Sequence, residues 1–294
     1  MKKLLFKQRS DTPHWVGDGF PVRSMFTYHE NVKEFSPFLL MDYAGPMQFE
    51  PSTHIRGVGE HPHRGFETVT IVYSGEVVHK DSSGGGGKIG PGDVQWMTAA
   101  SGLVHEEMHS KKFSESGGIF EMVQLWVNLP AKDKMTPPRY QGISSENIAV
   151  VETDGAVVRV IAGQFEGAKG PARTFTDIDL WDVRLRQGKA QVFTTGKEHN
   201  TLVFVLDGRV ELNDGSIIGT AELAKLDKSS DSFSLKALDD AKLLILAGAP
   251  INEPVVGHGP FVMNTQKEIL EALVDFQNGK MGSLVSELQP QDSP

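Results

Sequence analysis

The chain has 294 residues, of which 39 % are hydrophobic and 23 % charged, which is typical of a soluble globular protein. Its net charge of −9, without a run of Lys and Arg, argues against direct nucleic-acid binding, which needs a basic face. The chain has no cysteine, so disulfides, thiolate metal sites and cysteine nucleophiles are excluded and any metal must be held by imidazole and oxygen ligands.

The first residues, MKKLLFKQRS, contain an apolar stretch that is too short for a secretory signal. No apolar run approaches the roughly 20 residues that a membrane-spanning helix needs. We therefore expect a cytoplasmic protein with no membrane association, and a monomer. The length makes two domains the first expectation.

The first half of the chain contains short apolar runs separated by Gly, Pro, Asp and Ser, most densely between Ser82 and Asp93. This pattern predicts an all-β fold, an antiparallel sandwich or barrel. Proline lacks the N–H that a strand ladder needs, and three prolines lie within residues 130–143. We place the domain link there, which gives domains 1–135 and 136–294. The predicted strands of the first domain fall within residues 38–43, 67–75, 75–81, 93–99 and 122–130.

The second half contains a further set of apolar runs, within residues 156–163, 180–188, 202–214 and 242–250. The segment from Thr70 to His79 resembles the segment from Val203 to Leu212. Each has an apolar strand, a turn that ends in Gly75 or Gly208, and a second alternating strand. This weak similarity at corresponding places predicts an internal duplication of one β-barrel unit.

One helix is predicted near the C-terminus. Thr265 and Glu268 have the spacing of a capping box, and Gly279 is suited to a helix stop. The apolar residues follow at helical spacing, so the helix should pack on a sheet. The final segment, residues 287–294, is expected to be disordered. The apolar positions are Ile269, Leu270, Leu273 and Phe276.

Two of the ten histidines lie one residue apart, His61 and His63, at the head of an apolar run. If they begin a strand, alternate side chains share one face, so both imidazoles point the same way. Facing a barrel interior, they would form half of a metal site. Such a pair alone is weak evidence for a metal, because histidines near loops are common.

A second segment, GLVHEEMH, strengthens the metal hypothesis. In an extended strand His105 and Glu107 share a face and Glu106 points away. Two such pairs facing each other supply three imidazoles and one carboxylate. This donor set suits iron, manganese, nickel, copper or zinc rather than calcium or magnesium.

Two more residues lie an even number of positions from these candidate ligands, so in an extended strand they would share the same face. Glu67 could replace Glu107 as the carboxylate ligand, although we favour a supporting or packing role. His109 could supply a fifth nitrogen, although we interpret it as a surface residue beyond the strand end. Arg64 lies off the face by parity and is expected to pair with an acid at the barrel rim. The remaining candidates are interpreted as core residues, Trp96 and Trp126, and as ordinary structural or surface histidines, His199 and His258.

Around these residues the sequence resembles the pirin family of the cupin superfamily. The matching strings are HPHRGFETV, PGDVQWMTAASGLVHEEM, QLWVNLP and HGPFVMNT, and the resemblance runs from DGFPVRSMF to the final helix. It implies a bicupin with two tandem barrels of jelly-roll type, the first holding one iron and the second without metal. The resemblance implies that the metal ligands are His61, His63, His105 and Glu107. It also implies that Glu67 is not a ligand, because the residue at that position in pirins does not bind the metal.

The residues of the second half also predict a barrel without metal, independently of the resemblance. Aligning Gly208 with Gly75 puts Thr194 and Gly196 where His61 and His63 stand. No H-x-E sequence follows downstream. The duplication is expected to have kept the fold and lost the site.

The resemblance implies two classes of function. One is a quercetin 2,3-dioxygenase-type oxidoreductase, in which a mononuclear Fe(II)/Fe(III) ion, or Mn, Ni, Cu or Zn, acts on a flavonol-like aromatic substrate and Glu107 serves as catalytic base. The alternative is a non-enzymatic, redox-sensing iron protein that binds a partner, a transcription factor or a metabolic enzyme. A third possibility is a metal-binding barrel that has lost its ancestral chemistry. We favour the dioxygenase hypothesis narrowly over the regulator.

Overall fold

A computed structural model describes residues 1–284, and the tail expected to be disordered lies outside them. Short strands joined by tight turns dominate, and every apolar run predicted as a strand lies in one. The all-β prediction is therefore confirmed. The strands are β1 Leu4–Arg9, β2 His14–Val16, β3 Phe20–Phe26, β4 Phe38–Phe49, β5 Gly57–His63, β6 Phe66–Ser74, β7 Val77–Asp81, β8 Gly86–Ile89, β9 Val94–Thr98, β10 Leu103–His109, β11 Gly118–Asn128, β12 Arg139–Ile143, β13 Ala149–Glu152, β14 Ala156–Ala162, β15 Gln164–Phe165, β16 Ala168–Lys169, β17 Ile178–Leu185, β18 Ala190–Thr194, β19 Asn200–Asp207, β20 Arg209–Leu212, β21 Ile217–Gly219, β22 Glu222–Leu226, β23 Ser232–Ala237, β24 Ala241–Gly248, β25 Val256–His258 and β26 Phe261–Met263. The helices are α1 Val32–Phe35, α2 Lys111–Ser116 and α3 Gln266–Gln277.

Each half of the molecule is a barrel made of one large and one small antiparallel sheet. In the first, a seven-stranded sheet of order β12-β9-β6-β11-β4-β3-β2 is accompanied by the four-stranded sheet β5-β10-β7-β8. In the second, the sheet β1-β22-β19-β24-β17-β14-β13 is accompanied by β18-β23-β20-β21. The corresponding turn glycines, Gly75 and Gly208, have φ of +86° and +80°, a backbone region that favours glycine.

The two large sheets share one apolar core between the barrels. Buried side chains of the first sheet, among them Val69 and Trp96, belong to the same cluster as Leu246 of the second. The rings of Tyr43 and Phe204 meet edge to face across it, with centroids 5.1 Å apart. Because strand side chains alternate, this packing turns the other face of β6, β9 and β11 towards the interior of the first barrel.

Strand pairing crosses the boundary predicted at residue 135. The strand β12, beyond that boundary, pairs with β9 of the first barrel. The strand β1, at the start of the chain, pairs with β22 of the second. The hairpin β25–β26 and helix α3 return to the first barrel, where Arg64 forms a bridge with Phe261. Each barrel is thus completed by a segment from the other half of the sequence.

Helix α3 has the predicted capping box: the Glu268 amide donates to Thr265 Oγ1 at 3.2 Å, and the Thr265 amide donates to Glu268 Oε2 at 2.7 Å. Its buried side is formed by Ile269 and Ala272, with Leu273 partly buried. The predicted packing of Leu270 and Phe276 is wrong, because both are exposed. No helix within residues 1–284 is long and apolar enough to cross a membrane.

Candidate metal centre

Strands β5 and β10 bring the histidines together. They pair antiparallel, so that His105 stands opposite His61 and Leu103 stands opposite His63. One ring nitrogen from each of His61, His63 and His105 lies within 4.8 Å of the other two. The H-x-H pair ends β5 rather than beginning a strand as expected, because Gly65, at φ +91°, turns the chain into β6.

Hydrogen bonds leave the same ring nitrogen free on two of the three imidazoles. Nδ1 of His61 donates to the carbonyl of Gly59 at 2.8 Å, and Nδ1 of His63 donates to the carbonyl of Pro260 at 3.3 Å. A neutral imidazole with Nδ1 as donor keeps a lone pair on Nε2. Nε2 of His105 is fully buried and has no hydrogen-bond partner among the described residues.

Glu107 lies two residues beyond His105 and faces the same interior. Its carboxylate accepts hydrogen bonds from Gln95 at 3.1 Å, Thr70 at 3.3 Å and Gln124 at 2.9 Å. With His105 and a further histidine it forms a second group of ligand atoms within 4.8 Å, so that His105 belongs to both groups. The three donors orient the carboxylate without filling every lone pair.

That further histidine is His79 on β7, which the sequence reasoning missed. Its Nδ1 lies 3.3 Å from Nδ1 of His105, and its Nε2 lies 3.1 Å from Oδ2 of Asp81. The ring of Tyr140 stacks on it with centroids 5.1 Å apart. The signal was present in the sequence, because His79 and Asp81 repeat the spacing of two that identified the other pairs.

The cluster has the properties that a metal ion requires. Burial, reinforced by neighbouring His61, lowers the pKa of His63 to about 3, and burial also lowers the pKa of His105 well below its ordinary value. Both imidazoles are therefore neutral, as metal ligands must be. A buried nitrogen without a partner costs free energy unless something binds it, and an ion at Nε2 of His105 would satisfy it. The residues fit a transition metal.

The structure separates Glu67 and His109 from this cluster. Glu67 follows the turn at Gly65, so counting alternate residues from His63 does not predict which face its side chain occupies. Its carboxylate accepts a hydrogen bond from Thr98 at 2.7 Å. Interpreting His109 as a surface residue is wrong: it ends β10 as a buried side chain and donates through Nε2 to the carbonyl of Gly19 at 2.9 Å. Phenylalanine rings surround it, Phe20, Phe49, Phe113 and Phe120.

The other candidates fall around the site or away from it. Arg64 pairs with Asp275 of α3 at 3.0 Å, as its parity predicted. Trp96 is a core residue, but Trp126 is partly exposed and meets the ring of His63 edge to face at 5.3 Å. His258 is exposed, and His199 is buried 3.4 Å from Asp177 in the second barrel.

The second barrel has a polar cavity instead of a histidine cluster. Its volume is about 550 Å³, and Thr194 and Gly196 line it at the positions aligned with His61 and His63. Within residues 1–284, the two groups of side chains close enough to share a metal ion both lie in the first barrel.

Comparison with protein families finds matches to both halves of the chain. Residues 19–127 match the family model described as Pirin. Residues 180–282 match the model described as Pirin C-terminal cupin domain. Both barrels are therefore cupin domains, as the resemblance implied.

Similar proteins cover nearly the whole chain. A Pseudomonas aeruginosa protein named "Putative quercetin 2,3-dioxygenase" is 52 % identical over 95 % of this chain and 98 % of its own. Pirin of Rattus norvegicus is 36 % identical over 85 % of this chain and 84 % of its own. A crystal structure titled quercetin 2,3-dioxygenase from Acinetobacter baumannii is 53 % identical, with a TM-score of 0.94 over 97 % of this chain and 100 % of that chain.

Proposed function

This chain belongs to the pirin family, and we propose that it is a metal-dependent oxidoreductase of the quercetin 2,3-dioxygenase type. The observation that carries the proposal is a pair of ligand groups inside the first barrel that share His105, one with His61 and His63 and the other with His79 and Glu107. The names of the relatives that are 52 % and 53 % identical support the choice of reaction. We further propose that the chain works in the cytoplasm as a monomer.

We propose that Nε2 of His61, His63 and His105 and the carboxylate of Glu107 hold the metal. This donor set suits iron, and also accepts manganese, nickel, copper or zinc. A redox-active ion there would supply the Lewis acidity and the electron chemistry that activate dioxygen. Second-half residues Thr194 and Gly196 offer no comparable ligands, so one ion per chain is expected.

The surroundings of His63 suit a flat aromatic substrate such as a flavonol. Of the four proposed ligands, His61 is partly exposed and the others are buried. A substrate would therefore reach the site from solvent on the side of His61. Phe66 packs against both His63 and Trp126, with ring centroids 5.1 and 4.3 Å apart. Tyr28 stacks on Trp126 at 6.2 Å, which extends this aromatic wall outwards. Aromatic side chains of this kind stack on planar rings.

We propose that Glu107 takes the proton of the flavonol hydroxyl. The amide groups of Gln95 and Gln124 and the hydroxyl of Thr70 hold its carboxylate in one orientation. A fixed base within hydrogen-bond reach of an acidic hydroxyl contributes about 10²- to 10⁴-fold to a rate. Glu107 would thus combine ligand and base.

Oxygen uptake by the Fe(II)-loaded protein tests the proposal. Addition of a 3-hydroxyflavone should start oxygen consumption and carbon monoxide release. Glu107→Gln should slow turnover by about 100-fold or more, and by more than it reduces retained iron, whereas Glu106→Gln should match the wild type. A full equivalent of iron without flavonol-dependent oxygen uptake would favour the regulator hypothesis, which partner affinity in the Fe(II) and Fe(III) states would then test.

A further inference from the structure

We infer that Asp81 and His79 form a positioning relay that orients the ligand His105 and strengthens it as a donor. The chain of contacts runs from Oδ2 of Asp81 to Nε2 of His79 at 3.1 Å, and from Nδ1 of His79 to Nδ1 of His105 at 3.3 Å. The inference rests on the proposed metal site, but it does not depend on the dioxygenase reaction.

The turn after β7 fixes the orientation of the Asp81 carboxylate. Its Oδ1 accepts from the amide of Ser83 at 2.8 Å, the hydroxyl of Ser83 at 2.6 Å and the amide of Gly85 at 3.0 Å. Three donors therefore hold Oδ1 towards the turn. Oδ2 is left to accept from His79.

The carboxylate determines where the protons of both imidazoles lie. A carboxylate only accepts, so Nε2 of His79 carries the hydrogen and the Nδ1 of that neutral ring is an acceptor. Nδ1 of His105 must then donate to it. Nε2 of His105, the buried atom without a partner, keeps the lone pair that a metal needs.

A neighbouring amide agrees with this assignment. Tyr140 donates to Oε1 of Gln95 at 3.3 Å, and Nε2 of Gln95 donates to Glu107 at 3.1 Å. The same amide nitrogen lies 3.3 Å from Nδ1 of His79, where a donor requires an acceptor. His79 thus accepts from both His105 and Gln95. Because Gln95 also donates to Glu107, its side chain links the relay to the carboxylate ligand.

Among the residues that the structure describes, His79 is the hydrogen-bond partner of Nδ1 of His105, and the contact is buried. The side chains of Asp81 and His79 are fully buried, His105 is also fully buried, and Tyr140 covers the His79 ring. Hydrogen-bond partners of this kind raise the basicity of a ligating imidazole and contribute about 10- to 100-fold to metal affinity.

Asp81→Asn tests the relay by reversing its polarity. The donors at Ser83 and Gly85 require the amide oxygen on their side, so the amide NH₂ must face His79. His79 then accepts at Nε2 and carries its hydrogen on Nδ1. Two N–H donors, Nδ1 of His79 and Nδ1 of His105, would then face each other and could not form a hydrogen bond. His105 is driven towards the tautomer that has no lone pair on Nε2. Metal affinity, measured by titration with Fe(II) and Co(II), should fall by 10-fold or more.

His79→Phe is the second variant, because it keeps the ring that stacks on Tyr140 and removes both nitrogens. It should also weaken metal binding and should raise the Fe(III)/Fe(II) potential, because a weaker donor stabilises Fe(III) less. Asp93→Asn is the matched control. Asp93 also caps a turn, accepting from the amides of Gly90 at 2.9 Å and Ser145 at 2.7 Å, and it has no contact with a histidine among its hydrogen bonds.

The outcomes separate the relay from the proposed function. Wild-type affinity and potential in folded Asp81→Asn and His79→Phe would overturn the relay. Loss of affinity in Asp93→Asn as large as in Asp81→Asn would overturn it too, since general destabilisation would then suffice. A changed coordination number in the Co(II) spectrum of His79→Phe would mean that His79 is itself a ligand. A wild type that binds no metal would refute the metal site on which both proposals rest.

Discussion

At the scale of single residues, the proposed ligands differ in how their second polar atom is held. His61 and His63 donate to main-chain carbonyls, His105 meets another imidazole, and Glu107 receives three side-chain donors. Main-chain carbonyls cannot be changed by substitution. The partners of His105 and Glu107 can, so they are the places where sequence changes would tune the site.

His105 should be the ligand whose loss is most damaging, because it belongs to both groups of clustered ligand atoms. His105→Ala is expected to lose most of the bound iron in elemental analysis of purified protein. Glu106→Ala, on the partly exposed opposite side of β10, should retain a full equivalent. If His105→Ala keeps its iron, the proposed ligand set is wrong.

Glu67 predicts a pH-dependent stability. Burial raises its pKa from 4.5 to about 7, although Thr98 donates to it and Arg139 lies 3.8 Å away. The folded protein therefore holds this proton more tightly than the unfolded chain, and its stabilising effect, present below pH 4.5, is lost as the pH rises to 7.

Glu67→Gln should remove this dependence. The amide imitates the protonated acid, so urea unfolding should find the variant close to wild type at pH 4.5 and more stable at pH 8, by up to about 3 kcal/mol. Equal free energies of unfolding at pH 8 would show that Arg139 keeps the buried carboxylate ionised without cost.

At the scale of elements, parity along a strand could be predicted from the sequence, and its continuation across a turn could not. His105 and Glu107 share one strand and one face. Glu67 lies beyond Gly65, whose positive φ turns the chain, so counting residues from His63 assigned it to the wrong face. A two-residue rule holds only as far as the strand extends.

The partners of the proposed ligands were hidden for a related reason. Gln95 and Gln124 stand in strands whose alternate residues are apolar, and those apolar residues face the core between the barrels. Sequence alone does not tell which face of a strand meets the other barrel. The sequence therefore did not identify Gln95 and Gln124 as residues of the inward face. The pairing of β10 with β7 sets Glu107 opposite His79, and the large sheet brings Gln95 and Gln124 within hydrogen-bond distance of the Glu107 carboxylate.

Helix α3 depends on its capping box. Thr265→Ala removes the side-chain acceptor for the Glu268 amide, and a lost N-cap costs about 1 kcal/mol. Chemical denaturation should show this decrease. Lys267→Ala is a suitable control, because its pair with Glu271 is exposed and 3.7 Å long, and such pairs contribute about 0.5 kcal/mol or less. Equal effects of the two substitutions would mean that the cap is not stabilising.

At the scale of the whole molecule, the duplicated barrels are joined into one structure with one proposed metal centre. β1 completes the second barrel and β12 the first. The carbonyl of Pro260, far along the chain, holds the ring of His63. The C-terminal segment therefore supports a site whose proposed ligands all lie in the first half.

The shared core predicts that the barrels unfold together. Phe204 of the second barrel is fully buried against Tyr43 of the first. Phe204→Ala should cost about 3 to 5 kcal/mol and lower a single calorimetric transition. Two separate transitions, with one barrel melting at the wild-type temperature, would show that the interface does not couple them.

Anomalous diffraction at the iron edge, from crystals of the iron-loaded protein, tests the metal assignment most directly. We predict one peak per chain in the first barrel, bonded to Nε2 of His61, His63 and His105 and to the carboxylate of Glu107. We predict no peak in the polar cavity lined by Thr194 and Gly196. An iron peak in that cavity, or a first-barrel peak bonded to His79 in place of one of the four, would contradict it.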